Sequence, residues 1–121
     1  MKFITTIIAS AALLTACGAA RTPEEIVVEH YRAIESGNKK GMLEHVDPGR
    51  IKMLGENLHW AQYEKGAAEF KACGGSKSIE VELQGDEKYK TGKTSFAFNG
   101  KCPAYKSPVR LAFKDGKWWL V

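Results

Sequence analysis

Three histidines, three cysteines and a handful of tyrosines and carboxylates are the residues in this 121-residue chain with chemistry to offer. His30, His45 and His59 fall on three different predicted elements, at spacings of 15 and 14. A helix clamps a metal with histidines at i and i+4, and no pair here has that spacing. The expectation is therefore no metal site, with the histidines at the surface or satisfied within the fold. Asp47 follows His45 closely enough for an acid/base pair, but Asp47-Pro48 reads better as a helix N-cap and turn. Tyr31, Tyr63, Glu64 and Glu69 are residue types that could act as proton donors and a carboxylate base in an apolar pocket. No motif places them together. No catalytic residue and no cofactor is assigned.

Cys17 has different chemistry because of where it stands. Lys2 and the apolar run from Phe3 to Leu14 form a signal-peptide pattern, about 12 residues long and too short to span a bilayer. The run closes on Leu14-Thr15-Ala16-Cys17, which resembles the bacterial lipobox. That resemblance implies cleavage before Cys17, so that residues 1–16 are removed, with a diacylglyceryl thioether on the sulfur and an acylated (palmitate-type) amine. Two or three acyl chains hold a protein on a membrane where one holds only marginally. Gly18 follows the cysteine instead of Asp, which by resemblance to enterobacterial sorting favours the outer membrane, facing the periplasm. Residues 17–21 are then the lipidated cysteine and a short tether. The four residues after Cys17 keep the folded part within ~15 Å of the bilayer.

With Cys17 lipidated, two thiols remain in an oxidising compartment, Cys73 and Cys102, and they are expected to pair. No CxxC motif is present, so a redox-active dithiol has no support and the bridge reads as a structural staple.

Residues 22–121 have the size of one domain. Formal charge is +4, and it is unevenly spread. Residues 22–72 carry seven Lys/Arg against nine Asp/Glu, whereas residues 85–121 carry eight against three. A basic face attracts anionic partners, but an exported chain excludes nucleic acid as a natural one.

The elements follow from periodicity and punctuation. Thr22-Pro23-Glu24-Glu25 predicts a capping box with proline at the first helical position. The helix carries Ile26, Val27, Tyr31 and Ile34 on one side and ends at Ser36-Gly37-Asn38. A short second helix bears Met42, Leu43 and Val46. Ile51, Leu54, Leu58 and Ala61 then recur at helical spacing, and this helix is expected to run on to Phe70, with Gly55 and Gly66 as points where it could kink or split. From Ser78 the period becomes two. Ile79, Val81 and Leu83 mark one strand, Thr94, Phe96 and Phe98 a second, and Val109, Leu111 and Phe113 a third. Pro103 and Pro108 exclude a central strand around Cys102. Asp115-Gly116 predicts a two-residue hairpin that sets Leu111 opposite Leu120 and Phe113 opposite Trp118. Trp119 then lies on the face away from the core.

Helices followed by an antiparallel meander predict an α+β domain, N-terminal helices packed on a curved sheet of about four strands. The segments Thr22 to Tyr31, Glu35-Ser36-Gly37-Asn38 and Asp115 to Val121 resemble the small bacterial lipoproteins of the DUF4878 type, in the NTF2-like (cystatin-like) superfamily. The resemblance implies a cone formed by sheet and long helix, often enclosing a pocket. Trp60, Tyr63, Phe70, Phe96, Phe98, Phe113 and Trp118 are the aromatic residues available to line it. Trp60, Tyr63 and Trp119 are the candidate ligand or partner contacts. The expected role is a non-catalytic binding or assembly module on the membrane, for a small apolar ligand or an envelope protein. The alternative is a ketosteroid-isomerase-like or hydratase-like enzyme using the same cone.

Overall fold

The computed structural model describes residues 3–9 and 21–121, so Cys17 and the expected cleavage point lie outside the described residues. The elements run β1 (Phe3–Ala9), α1 (Pro23–Ser36), α2 (Lys39–Glu44), α3 (Pro48–Leu54), α4 (Glu56–Ala72), β2 (Ser76–Gly85), β3 (Tyr89–Phe98), β4 (Tyr105–Lys114) and β5 (Lys117–Leu120). All strands pair antiparallel with their sequence neighbours, in the order β1-β2-β3-β4-β5. The expected α+β architecture of helices on a curved sheet is present. Among the described residues no helix is long and apolar enough to cross a membrane.

Local chemistry sets the helix ends. Thr22 Oγ1 accepts from the Glu25 amide at 3.1 Å, and Glu25 Oε1 accepts from the Thr22 amide at 3.1 Å, closing the capping box. Gly37 ends α1 in the left-handed region at φ 75°, where a side chain would be strained. Asn38 Oδ1 then accepts from the Gly41 amide at 3.0 Å and starts α2.

The third predicted helix is two helices. Gly55, at φ 82° and ψ 147°, breaks it, and the break resets the helical phase. Leu58 is therefore 52% exposed, although its spacing from Ile51 and Leu54 had put it on the buried face. The buried side of α4 instead runs through His59, Tyr63, Ala67 and Phe70. Gly66 does not interrupt α4.

In the sheet, Ile79, Val81, Leu83, Phe96, Leu111 and Leu120 are buried against Ile26, Val27, Ile34 and Met42 of the helices. The β4–β5 hairpin has the expected register, Leu111 opposite Leu120 and Phe113 opposite Trp118. Asp115 and Gly116 both take positive φ, 53° and 75°. Its tip escapes helix cover. Phe113 is 43% exposed, and Trp118 is half-buried against it with the rings 5.3 Å apart.

Pro108 corrects the expectation for the third strand, which begins at Tyr105 and includes it, opposite Lys93. A proline fits there because β5 pairs only with Leu111 to Lys114. At Pro108 the outer side of β4 has no strand to receive an amide.

Cys73 and Cys102 are joined by a disulfide with their Cα atoms 5.5 Å apart. It ties the end of α4 to the β3–β4 connection. Two backbone bonds reinforce the junction, from the Gly100 amide to the Cys73 carbonyl (2.9 Å) and from the Asn99 amide to the Gly75 carbonyl (3.0 Å).

Candidate functional site

Between α1, α4 and the concave side of β3 and β4 lies a pocket of about 460 Å³. That is within the usual range for small-molecule sites. Tyr31 and Ile34 come from α1, Tyr63, Gly66, Glu69 and Phe70 from α4, and Phe96, Phe98, Tyr105 and Ser107 from the sheet. The Cys73–Cys102 bridge and Pro103 close one side.

The walls are aromatic and mutually braced. Phe96 meets Tyr31 edge-on at 4.8 Å and Phe70 at 5.2 Å, and Tyr105 stacks on Phe96 at 6.1 Å. Edge-to-face pairing of this kind holds ring positions beyond what burial alone would do. Of the polar groups, Tyr31 Oη reaches Ser107 Oγ at 3.5 Å, and burial raises the Tyr31 pKa. At neutral pH that phenol is a hydrogen-bond donor and no base. Glu69 stands exposed at the rim. A general base in such a pocket needs a desolvated carboxylate, and Glu69 is not one. Glu64 is exposed and outside the pocket lining.

Gly66 is the wall residue that sequence reasoning misjudged. A Cβ added there meets nothing within 4 Å. The glycine leaves the helix intact and keeps the pocket open on that side. Tyr105, Pro103 and Ser107 were also missed, because no local pattern marks residues that enter a cavity from a strand edge or a connection.

Behind the tyrosines sits a seam of buried histidines. His30 Nδ1 donates to the Met42 carbonyl at 2.9 Å, and its ring packs edge-on against Tyr31 and Tyr63, each at 5.3 Å. His59 lies parallel to Tyr63 at 6.1 Å, with neither ring nitrogen hydrogen-bonded among the described residues. His45 Nε2 is 3.4 Å from Glu29, and its Nδ1 has no partner among the described residues. The expectation of surface or satisfied histidines holds for His30, buried with its bond to Met42, and fails for His45 and His59, which are buried with nitrogens that have no partner among the described residues. Their separation in sequence hid the convergence. Burial lowers the pKa of each, His30 to about 4. Among the described residues no three His, Cys, Asp or Glu side chains are grouped to hold a metal.

Of the remaining candidates, Tyr63 lines the pocket, whereas Trp60 is half-buried against the core and outside the lining. Phe113 and Trp118 are likewise outside it; Lys90 Nζ lies 5.7 Å from the Trp118 ring. Trp119 faces away from the core opposite Ala112. It is half-buried, with Nε1 donating to the Lys114 carbonyl at 3.0 Å and Lys117 Nζ 4.1 Å above its ring. Asp47 stands at the N-cap position of α3, as expected, but its side chain makes no cap bond; its carboxylate takes Lys114 Nζ at 2.7 Å instead.

No family model and no curated protein matches the chain. Among solved structures it is similar to a protein from Campylobacter jejuni, provisionally described as an NTF2-like transpeptidase. The two share 24% sequence identity with a TM-score of 0.74, over 83% of this chain and 97% of that one. Helices laid on a curled antiparallel sheet, a pocket on the concave side and this superposition together define the architecture: the chain has the NTF2-like fold.

Proposed function

We propose that this chain is an envelope lipoprotein of the DUF4878 type whose cone binds a small, flat, apolar ligand beside the membrane. The aromatic pocket carries the reading: six rings converge on one cavity, and Glu69, the only carboxylate among its described lining residues, stays in water. Such a lining favours binding over catalysis. The description of the Campylobacter protein raises acyl transfer, which needs an activated nucleophile. In this pocket Cys73 and Cys102 are bonded to each other, and Ser107 has a phenol beside it instead of a base. Trp119, engaged by Lys117 and the Lys114 carbonyl, offers a poorer contact for an envelope protein than the open cone does.

Membrane attachment rests on Cys17 and its preceding apolar segment, and the Cys73–Cys102 bridge is in keeping with an oxidising compartment. Cys17→Ser should move the protein from the membrane fraction to the soluble fraction; continued sedimentation with membranes refutes the anchor. For the pocket, N-phenyl-1-naphthylamine should bind the native protein with enhanced fluorescence. Gly66→Phe adds a ring at a wall position whose Cβ meets nothing within 4 Å and replaces a poor helix former. It should cut dye binding at least ~10-fold while leaving the melting temperature unchanged or higher. Equal binding by the two proteins would exclude this cavity as the ligand site.

A further inference from the structure

The two edges of the sheet are built differently. At the β5 edge the strand is four residues long, and the α2–α3 connection seals it. Val46 bridges Leu120, the Asp47 amide donates to the Leu120 carbonyl, and the Leu120 amide donates to the His45 carbonyl, both at 2.8 Å. At the other edge β2 is ten residues long, contains no proline and has no charge on its core-facing row of Ile79, Val81 and Leu83. What covers it is β1, paired without a register shift from Phe3 opposite Gly85 to Ala9 opposite Ile79. Those seven residues belong to the segment that processing at Cys17 removes.

We propose that the outer edge of β2, once residues 1–16 are gone, docks an extended segment of another protein in which apolar residues alternate with lysine or arginine. The inference rests on the processing proposed above. Loss of β1 leaves a row of unpaired backbone groups from Ile79 to Gly85, and an incoming strand satisfies them as β1 does. The lane has a wall as well as an edge, because α1 lies close to β1. Alternate residues of the incoming strand therefore enter between helix and sheet beside Ile79, Val81 and Leu83, and apolar ones fit.

Charge decides the other row. Glu80 and Glu82 project on the opposite face, both half-buried; Glu82 has Lys93 at 3.7 Å, and Glu80 has no ion pair among the described residues. Cationic residues directly across an antiparallel pair stabilise it, and like charges there oppose it. A second copy is disfavoured on the same ground. Two β2 strands paired antiparallel about Glu80, Val81 or Glu82 set glutamate opposite glutamate in every case.

The test uses the processed protein purified from membranes in detergent, with intact mass measured first. The probes are two labelled nine-residue peptides alternating valine with lysine, or valine with glutamate. The lysine peptide should bind and slow hydrogen exchange at amides within Ile79–Gly85. The double variant Glu80→Lys/Glu82→Lys should reverse the preference, each peptide's affinity changing about tenfold. Absence of protection in β2, or a preference untouched by the charge reversal, overturns the proposal. So does a detergent-corrected dimer mass with the Ile79–Gly85 amides protected in the absence of peptide, which would make a second copy the occupant. An intact mass that retains residues 1–16 is a distinct failure: processing has not occurred, and the edge belongs to β1.

Discussion

Acidification from pH 7 to pH 4 should cost this domain about 3 kcal/mol of stability through His30 alone, most of it lost by pH 4.5. Burial holds His30 at about 4 in the folded protein, against 6.5 when exposed. Below pH 6.5 the unfolded chain takes up a proton that the folded chain refuses, so protonation favours unfolding. The contribution is complete above pH 6.5 and disappears as the pH falls to about 4. His45 and His59 are lowered in the same direction by burial, with Glu29 partly opposing the shift at His45. Their losses add to that of His30. Urea denaturation at pH 7.5 and pH 4.5 measures the difference. His30→Gln keeps a donor for the Met42 carbonyl without the titration, and should flatten most of the decline. An unaltered acid response in that variant would assign the pH dependence to other groups.

The second large effect concerns the bridge at the pocket. Cys73→Ala/Cys102→Ala should lower the unfolding free energy by ~3–4 kcal/mol, the loop-closure value for cysteines 29 residues apart. The backbone bonds from Asn99 and Gly100 to the Gly75 and Cys73 carbonyls remain, so the folded state should keep its shape. The loss should appear as a lower denaturation midpoint with native circular dichroism. Because Cys102 and Pro103 also form one side of the cavity, dye affinity should weaken in the same variant. A midpoint unchanged by the double substitution or by full reduction would mean that the bridge does not constrain the unfolded chain.

The two predictions differ in how readable their causes were. The cysteine pair follows from counting thiols once Cys17 is set aside, and the connection is found as expected. The histidine seam has no local signature. His30, His45 and His59 lie on α1, at the end of α2 and on α4. They share surroundings only because α1 packs against both of its helical neighbours and Tyr63 packs against His30 and His59.

Local chemistry in the chain was enough to determine the capped first helix, the Gly37 stop, the change from helical to strand periodicity and the register of the Asp115-Gly116 hairpin. Each depends on interactions within a few residues, where residue type dictates backbone geometry. Tertiary structure alone decided the rest. The left-handed Gly55 rotated α4 so that Leu58 faces water and His59 the core. Gly66 became an opening in a wall instead of a break. Pro108 was admitted to a strand because β5 does not reach its outer side. Which rings line the cavity, and which edge of the sheet is covered by β1, depend on how distant elements meet. Sequence spacing does not encode those distances.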